Sequence, residues 1–296
     1  MKTSNLFGKI ASVALMGTFA FVISCKDEDK LTLADTQDIT EEAITDSYYQ
    51  DMDDLAGVAV SAPTDDQYSK NGRVETTYSV TVQDDRFDCD GVVVSVTPDA
   101  NSTLEAPKGV LIVNFGTTGC ADGRGNTRTG KVIFTYNGRR FQPGSTVVTT
   151  VENYTINGVK LEGVRTLTNV SGSTAEAPKF NAKLVGGKAT FIADGTVAER
   201  ESNITWQWIR EANPLNDYLL IDQASTASGT TRGGRTYSVS LSKALKYKRF
   251  CGIAVEGIKK YLIDGSKEIT IDYGDGTCDK SVVITVNGVT RNINVN

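Results

Sequence analysis

Histidine is absent from this sequence of 296 residues, and its absence excludes more functions than any motif suggests. Histidine supplies most of the general bases that titrate near neutral pH and most zinc ligands in proteins. Hydrolases that use a serine or cysteine triad, and zinc hydrolases, therefore lack their usual residues here. Chemistry carried by carboxylates, lysine or tyrosine remains open. Because no catalytic motif is present either, we expect a protein that is not an enzyme and needs no cofactor.

A surplus of basic residues is also missing, since the formal net charge is -5. Eleven acidic side chains lie between Asp27 and Asp54, and the rest of the folded chain is close to neutral. A near-neutral chain has no basic stripe for a phosphate backbone. We therefore expect no nucleic acid partner.

Proline is scarce, with 6 residues against 28 glycines. From about Arg73 onward, alternating polar and apolar residues predict strands, with no convincing helical period. Residues 147–156 and 159–167 flank Asn157-Gly158, the strongest short signal for a β-hairpin. Because tight turns join neighbouring strands, we predict an all-β fold built from antiparallel sheets.

The apolar run near the N-terminus, residues 10–23, is too short to cross a bilayer as a helix, which needs about twenty residues. Lys2 and Lys9 precede the run, and Ser24-Cys25 follows it. A basic start, a short apolar stretch and a small residue at the end are typical of a secretory signal peptide. We predict such a signal over residues 1–24.

Cys25 directly follows Ser24, and this junction resembles the lipobox of bacterial lipoproteins, although Val22 stands where leucine is usual and Ile23 where a small residue is usual. The next residues, Lys26-Asp27-Glu28-Asp29, resemble the signal that sends some Gram-negative lipoproteins to the outside of the outer membrane. The resemblance implies that Cys25 is lipidated and that its partner is outer-membrane lipid, with the protein facing the extracellular side. The alternative is a signal cut elsewhere, with Cys25 removed.

The segment after Cys25 is polar and acidic, which predicts a solvated tether over residues 25–40. Thr40 could cap a short amphipathic helix over residues 41–56. The apolar residues of that helix recur at helical spacing: Ile44, Tyr48, Met52 and Leu55. We expect this face to pack on the β part, and the alternative is a marginal helix in a flexible stalk.

One sequence pattern occurs twice: Arg-Phe before a cysteine, an apolar run, and an aromatic-Gly pair before a second cysteine. The copies run from Arg86 to Cys120 and from Arg249 to Cys278. Matching segments on both sides of each copy indicate an internal duplication. We predict a first β unit over residues 65–170 and a second over residues 180–296, packed as sandwiches or merged in one extended sheet.

Four cysteines remain in the exported chain after Cys25, and four cysteines allow three pairings. Because a duplicated unit must carry its own bond, we predict the disulfides Cys89–Cys120 and Cys251–Cys278. Neither CxxC spacing nor histidine is present, so we expect no metal at these cysteines.

Trp206 and Trp208 are the only tryptophans, and strand alternation places both on one face. Packing in the core is one interpretation, because indoles are usually largely buried. The other is a platform for sugar rings, with nearby Tyr218 as a third contact. An extracellular ligand, with a glycan as one candidate, is therefore a predicted partner.

Four aspartates surround Cys89: Asp84, Asp85, Asp88 and Asp90. Carboxylate oxygens in such density are weak candidates for calcium ligands. The second copy of the repeat carries basic residues in this region, so the fold does not require the cluster. Solvated surface charge is the default interpretation.

A glycine-bounded segment, residues 125–131, fits the first seven positions of a phosphate-binding loop. Val132 stands where the loop needs a serine or threonine for magnesium, and a strand follows instead of a helix. We therefore interpret the segment as a flexible basic turn.

The export signal, the acidic tether and the repeated β units together resemble uncharacterised cell-surface lipoproteins of Gram-negative bacteria. The motifs of that resemblance are structural and imply no activity. Our leading hypothesis is a non-enzymatic, surface-anchored lipoprotein with a binding, adhesion or structural role. One alternative is a glycan-binding accessory lipoprotein of a nutrient-uptake system. A second is a hydrolase that uses two carboxylates, a common mechanism that needs no histidine.

Overall fold

A computed structural model describes residues 30–59, 77–170, 172–248, 251–279 and 281–294. The predicted signal peptide, Cys25 and the acidic export signal lie outside these residues. Strands dominate the described chain, and one long helix precedes them. The prediction of an all-β fold with an N-terminal helix is confirmed.

The elements follow one another in a simple order. The helix is α1 (Leu33–Ala59), and two short 3-10 helices cover Asp85–Phe87 and Pro214–Asn216. The strands are β1 (Tyr78–Val80), β2 (Val93–Pro98), β3 (Lys108–Asn114), β4 (Cys120–Ala121), β5 (Thr127–Asn137), β6 (Thr146–Ile156), β7 (Val159–Asn169), β8 (Lys179–Phe191), β9 (Val197–Ile209), β10 (Tyr218–Ile221), β11 (Thr226–Thr230), β12 (Thr236–Lys248), β13 (Ala254–Ile263), β14 (Lys267–Asp275), β15 (Ser281–Val286) and β16 (Val289–Asn294).

The chain divides into two compact units. We call residues 48–175 and 179–199 the β1–β8 unit, and the described residues up to 47 with 176–178 and 200 onward the β9–β16 unit. The first part of α1 therefore belongs to one unit and its last part to the other. The division on the β side lies at residue 200, whereas the repeat predicts a boundary between 170 and 180.

The strands of the β1–β8 unit lie in the order β1-β2-β3-β5-β6-β7-β8, and β4 pairs with β5. These neighbouring strands pair antiparallel, as the tight turns predict. Side chains alternate between core and surface, so that Leu111 and Val113 of β3 are buried while their neighbours are partly exposed. The end of α1 adds Tyr49, Met52 and Leu55 to this core.

The strands of the β9–β16 unit lie in the order β9-β10-β12-β13-β14-β15-β16, and β11 pairs with β12 and β9. Its main core consists of alternate side chains from β11 to β15, together with Leu31 before the helix. The buried members are Leu31, Ala227, Tyr237, Val239, Ile253, Tyr261, Ile263, Ile269, Ile271, Val282, Ile284 and Val286. Leu31 ties the start of the described chain into this core.

The prediction that α1 begins after Thr40 is wrong. The helix begins at Leu33, where Thr32 and Asp35 form a reciprocal cap: the Thr32 N–H donates to Asp35 Oδ2 at 2.8 Å and the Asp35 N–H to Thr32 Oγ1 at 3.2 Å. Such a pair satisfies N–H groups that the first turn leaves unbonded. Thr40 lies inside the helix, where its hydroxyl donates to the Thr36 carbonyl at 2.7 Å. Residues 33–40 are therefore helical and do not form a tether.

Asn-Gly pairs close two hairpins with backbone angles that few other residues adopt. Asn157 and Gly158 have φ values of 51° and 76°, and Asn287 and Gly288 have 45° and 86°. Positive φ at both central residues is the mark of a type I′ turn, whose twist matches that of the flanking strands. The hairpin signals in the sequence thus correspond to β6–β7 and β15–β16.

Two disulfides join segments that flank neighbouring strands. Cys89 bonds to Cys120 with a Cα–Cα distance of 5.7 Å, and Cys251 bonds to Cys278 with a distance of 5.6 Å. These are the pairs that the repeat predicts. The first lies in the β1–β8 unit and the second in the β9–β16 unit.

Removing either disulfide should destabilise the protein substantially. The bonds close loops with sequence separations of 31 and 27 residues, and loops of that size lower the entropy of the unfolded chain. We expect the double variant Cys89→Ser/Cys120→Ser to lose about 3 to 4 kcal/mol of unfolding free energy in denaturant titrations. As a control, dithiothreitol should act on this variant only through Cys251–Cys278. An unchanged unfolding midpoint would show that the bond does not constrain the chain.

Candidate functional site

The face of α1 that meets the sheets is largely acidic. Helical positions that repeat every three or four residues are buried, and several of them are charged: Asp35, Asp38, Glu42 and Asp53. Of the predicted apolar face, Met52 and Leu55 are buried, whereas Ile44 and Tyr48 are only half-buried. A buried acidic face is stable only if each charge meets a partner. Those partners come from the strands of each unit and from the segments that connect them.

In the β9–β16 unit, five acids of α1 pair with five bases of the strands and of the turn between β11 and β12, and we call them the first ion-pair group. Its members are Asp35, Asp38, Glu41, Glu42 and Asp46 with Arg200, Arg232, Arg235, Lys259 and Lys267. Arg200 lies on the same face of β9 as the buried Ala198 and Ser202, and Arg235 precedes the buried Tyr237 by two residues. Arg200 therefore projects toward the core, as strand alternation requires.

Glu42 is, with Asp35, one of the two most enclosed acids of the first group. Its carboxylate contacts the Arg200 guanidinium, Lys259 Nζ at 3.0 Å and the Tyr261 hydroxyl at 2.8 Å. Burial alone would raise the pKa of Glu42, but the charges of Lys259 and Arg200 and the hydrogen bonds from Lys259 and Tyr261 lower it to about 2. Glu42 is therefore ionised at neutral pH.

The N-terminal end of α1 carries a second set of contacts in this group. Arg235 Nη2 lies 2.8 Å from Asp35 Oδ1, and Arg235 Nε donates to Asp38 at 2.7 Å. Lys267 also binds Asp35, and its Nζ donates to the Lys30 carbonyl at 2.8 Å. Burial would raise the pKa of Asp35, but hydrogen bonds from Lys267, Thr32 and Arg235 lower it overall. The start of the described chain is thereby held on the strands.

In the β1–β8 unit, three acids of α1 meet three arginines, and we call them the second ion-pair group. Its members are Asp51, Asp53 and Asp54 with Arg86, Arg128 and Arg165. Arg165 binds Asp53 through two bonds of 2.8 and 2.7 Å, the fork geometry that makes such pairs strong.

Arg128 of the second group has no exposed surface. It pairs with Asp51 at 2.9 Å and with Asp122, which lies after β4. The interpretation of residues 125–131 as a flexible basic turn is wrong from Thr127 onward. These residues form β5 and pair with β6. Alternation then directs Arg128 to the same side as Val132 and Phe134.

Among the described residues, Asp54 differs from the other acids of α1 in having no short ion pair. The nearest Arg86 nitrogen lies 4.0 Å away, because Arg86 forms its short bonds with Asp84 at 2.8 and 3.1 Å. Burial raises the pKa of Asp54 to about 7; Asp51 and Asp53 add to the rise, and Arg86 and Arg140 oppose it. Asp54 therefore changes its charge near neutral pH.

The aspartates around Cys89 do not converge. Asp84 is buried between Arg86 and Arg124, whereas Asp85, Asp88 and Asp90 are exposed. Across the described ranges, no three acidic or cysteine side chains come together in an arrangement that would hold a metal ion. The buried role of Asp84 is structural, since its carboxylate also accepts the Arg86 N–H at 3.0 Å.

Trp206 and Trp208 lie on the same face of β9, as predicted, and both are half-buried. They share that face with Arg200. Tyr218 lies on the opposite face, because its cross-strand partner on β9 is Ile209 and not a tryptophan. Lys246 Nζ stands 4.0 Å from the Tyr218 ring centre, whereas the Arg210 guanidinium stacks on Trp208 at 4.5 Å. The prediction that the three rings form one platform is therefore wrong.

The ion pairs were not predicted from the sequence, although two signals for them are present. Basic residues such as Arg165 and Arg200 fall in phase with the buried residues of their strands, where water-facing side chains are not expected. An acidic stretch precedes the strands and could supply their counter-charges. Read together, these two patterns predict a buried electrostatic contact between the helix and the strands.

Comparisons with protein-family models, curated proteins and solved structures find no match for this chain. Within the described part of the chain, no helix has both the length and the apolar character needed to cross a membrane.

Removing the charge of Glu42 should strongly destabilise the protein. Glu42→Gln leaves Arg200 and Lys259 buried with less compensation, and breaking a buried ion pair costs about 3 to 5 kcal/mol. Glu41→Gln is the matched control on the same helical turn, because its pair with Arg232 is partly exposed and is worth about 0 to 1 kcal/mol. Urea unfolding monitored by circular dichroism measures both. Equal losses in the two variants would contradict a special role for Glu42.

The charge of Asp54 should make stability fall as the pH rises. A folded pKa of about 7 against 3.8 in the unfolded chain means that the folded state binds the proton more tightly. The stability that protonated Asp54 contributes is fully present below pH 3.8 and is lost as the pH rises through 7. Relative to wild type, Asp54→Asn should gain up to about 4 kcal/mol at pH 8 and little at pH 4.

Asp53→Asn is the control for this titration, because Asp53 forms a short pair with Arg165 and its removal should destabilise the protein at pH 8. Unfolding titrations between pH 4 and pH 8 give the comparison. If the free energy of unfolding of Asp54→Asn falls with pH as steeply as that of wild type, the titration belongs to another group.

Proposed function

We propose that this protein is a non-enzymatic lipoprotein, anchored through Cys25 to the outer membrane and facing the outside of the cell, with a binding, adhesion or structural role. The observation that carries the proposal is the docking of the first described residues. Leu31 is buried in the core of the β9–β16 unit, and the Lys30 carbonyl accepts a bond from Lys267.

That docking leaves a short connection between the lipid and the folded chain. Only residues 26–29 separate Cys25 from Lys30. At no more than about 3.6 Å per residue, the path from Cys25 to Lys30 spans at most about 18 Å. A lipidated Cys25 would therefore hold the β9–β16 unit close to the membrane surface, unlike the longer tether that the sequence predicts.

The ion pairs of α1 support a mechanical role for the helix. An isolated helix is marginally stable in water, and the buried charges of α1 resist withdrawal because each would lose its partner. Any pull transmitted from a lipid at Cys25 would reach the strands through these contacts. The helix thus serves as a coupling between the anchor and the β units.

The internal duplication remains part of this proposal. The strand order β1-β2-β3-β5-β6 in one unit and β12-β13-β14-β15-β16 in the other supports it, as does the disulfide in each. Surface proteins exposed to an oxidising environment are often stabilised by such bonds.

The two alternatives remain predictions. A glycan site would have to use Trp206 and Trp208 without Tyr218. A hydrolase would need a proton donor, and the raised pKa of Asp54 is the one property that suits such a role. Neither rests on a site that is assembled among the described residues.

Anchoring is tested by replacing Cys25 and by following the protein in a Gram-negative host that displays surface lipoproteins. Wild type should incorporate radiolabelled palmitate and be digested by proteinase K added to intact cells. Cys25→Ser should lose the label and leave the membrane fraction, because the protein then carries no acyl chain to anchor it.

A second variant separates lipidation from surface display. Alanine at Lys26, Asp27, Glu28 and Asp29 should keep the palmitate label and protect the protein from proteinase K in intact cells. Wild type without palmitate would overturn the anchor, and unchanged digestion of the alanine variant would overturn the export signal.

A further inference from the structure

Strand β16 leaves one long edge open. It pairs with β15 along its whole length, from Val286↔Val289 to Ser281↔Asn294, without a register shift. No strand in the described ranges pairs with its other edge, since β16 ends the strand order of its unit. An open, regular edge is a template for another strand unless charge, proline or a bulge blocks it. Here Arg291 is the one charged side chain on the strand.

We propose that this edge pairs antiparallel with β16 of a second copy of the same chain. In the internal repeat, β16 corresponds to β6 of the β1–β8 unit. Strand β6 has an antiparallel neighbour on each side, β5 and β7. The β9–β16 unit has β15 beside β16 but no counterpart of β7. Strand β1, which begins the order of its unit, has only three residues, so β16 itself is a better-matched edge on a second copy.

The hairpin determines which backbone groups of β16 point outward. A two-residue turn makes Val286 and Val289 a hydrogen-bonded pair, and such pairs alternate along an antiparallel ladder. Arg291 and Ile293 therefore bond to β15. The N–H and C=O groups of Thr290, Asn292 and Asn294 point to the open edge.

The faces of the strand limit the possible registers. Val289, Arg291 and Ile293 lie opposite the buried Val286, Ile284 and Val282, so these three side chains share the core face. A two-fold axis that continues the sheet must place core-face residues opposite core-face residues. The pairing is therefore centred either on Arg291 or on Asn292.

The register centred on Asn292 is favoured by both charge and hydrogen bonding. It sets Asn292 opposite Asn292 of the partner copy and Thr290 opposite Asn294, so every outward backbone group is bonded. Arg291 then faces Ile293. The register centred on Arg291 places two like charges directly opposite, which is destabilising, and leaves Asn294 outside the ladder.

The proposed anchor favours this pairing, and to that extent the inference rests on the proposed function. Leu31 packs beside Ile284, Val286, Val289, Arg291 and Ile293 on the core face. A two-fold axis perpendicular to the sheet keeps that face on the same side in both copies. Because one strand buries little area, we expect a weak dimer that confinement to a membrane would strengthen.

Cysteine cross-linking of the full-length protein tests the register. Asn292→Cys should form a disulfide-linked dimer under mild oxidation, because opposed residues in a hydrogen-bonded pair lie about 5.5 Å apart at Cα. Arg291→Cys is the matched control and should give at least about tenfold less dimer, since its own copies are not opposed. Dimer from Arg291→Cys but not from Asn292→Cys would overturn the proposal.

A backbone variant tests the edge itself. Asn292→Pro removes an N–H that points to the open edge and leaves the bonds to β15 in place. Light scattering of concentrated full-length protein in detergent should show dimer for wild type and for the control Asn292→Thr, but monomer for Asn292→Pro. Monomeric wild type together with no cross-link in membranes would overturn the proposal. Dimer in detergent without a cross-link in membranes would support edge pairing and contradict the anchored arrangement instead.

Discussion

The opposite charges buried between α1 and the strands are the constraint on which this structure depends. A carboxylate such as Glu42 cannot be enclosed alone, because the free energy of removing its charge from water far exceeds any packing gain. Arg200, Lys259 and Tyr261 offset that penalty through contacts in fixed positions. The helix is therefore oriented by the positions of the bases as well as by apolar packing. Tyr49, Met52 and Leu55 add the apolar contribution at its other end.

This arrangement also explains why the helix extends beyond its apolar part. An apolar stripe alone would favour a helix from about Glu41, where the hydrophobic repeat starts. The bases Arg235 and Lys267 hold Asp35 and Asp38 in place and so extend order toward the N-terminus. In the proposed surface lipoprotein, this order would leave a short link between the lipid and the folded chain. Charge pairing also lets the chain carry many acids without exposing all of them to solvent.

Much of the β architecture was predictable because its signals are local. Asn157-Gly158 and Asn287-Gly288 specify type I′ hairpins, and alternation specifies which residues of β3 and β15 are buried. The cysteine pairs followed from the repeated pattern. The start of α1, the burial of Arg128 and the separation of Tyr218 from the tryptophans were not predicted. Each depends on a register or a partner far away in the chain, which local periodicity does not encode.

By itself, the sequence determined the fold class, the antiparallel hairpins and the absence of histidine chemistry, since these follow from residue type, spacing and turn geometry. Only the tertiary structure decided which charges are buried, which acid titrates near neutral pH and which strand edge stays open. Burial and pairing are properties of residues brought together from distant parts of the chain. Asp54 illustrates the difference: its place in an acidic helix gives no sign of a shift, and its pKa rises because the fold buries it while Arg86, which opposes the rise, forms its short bonds with Asp84.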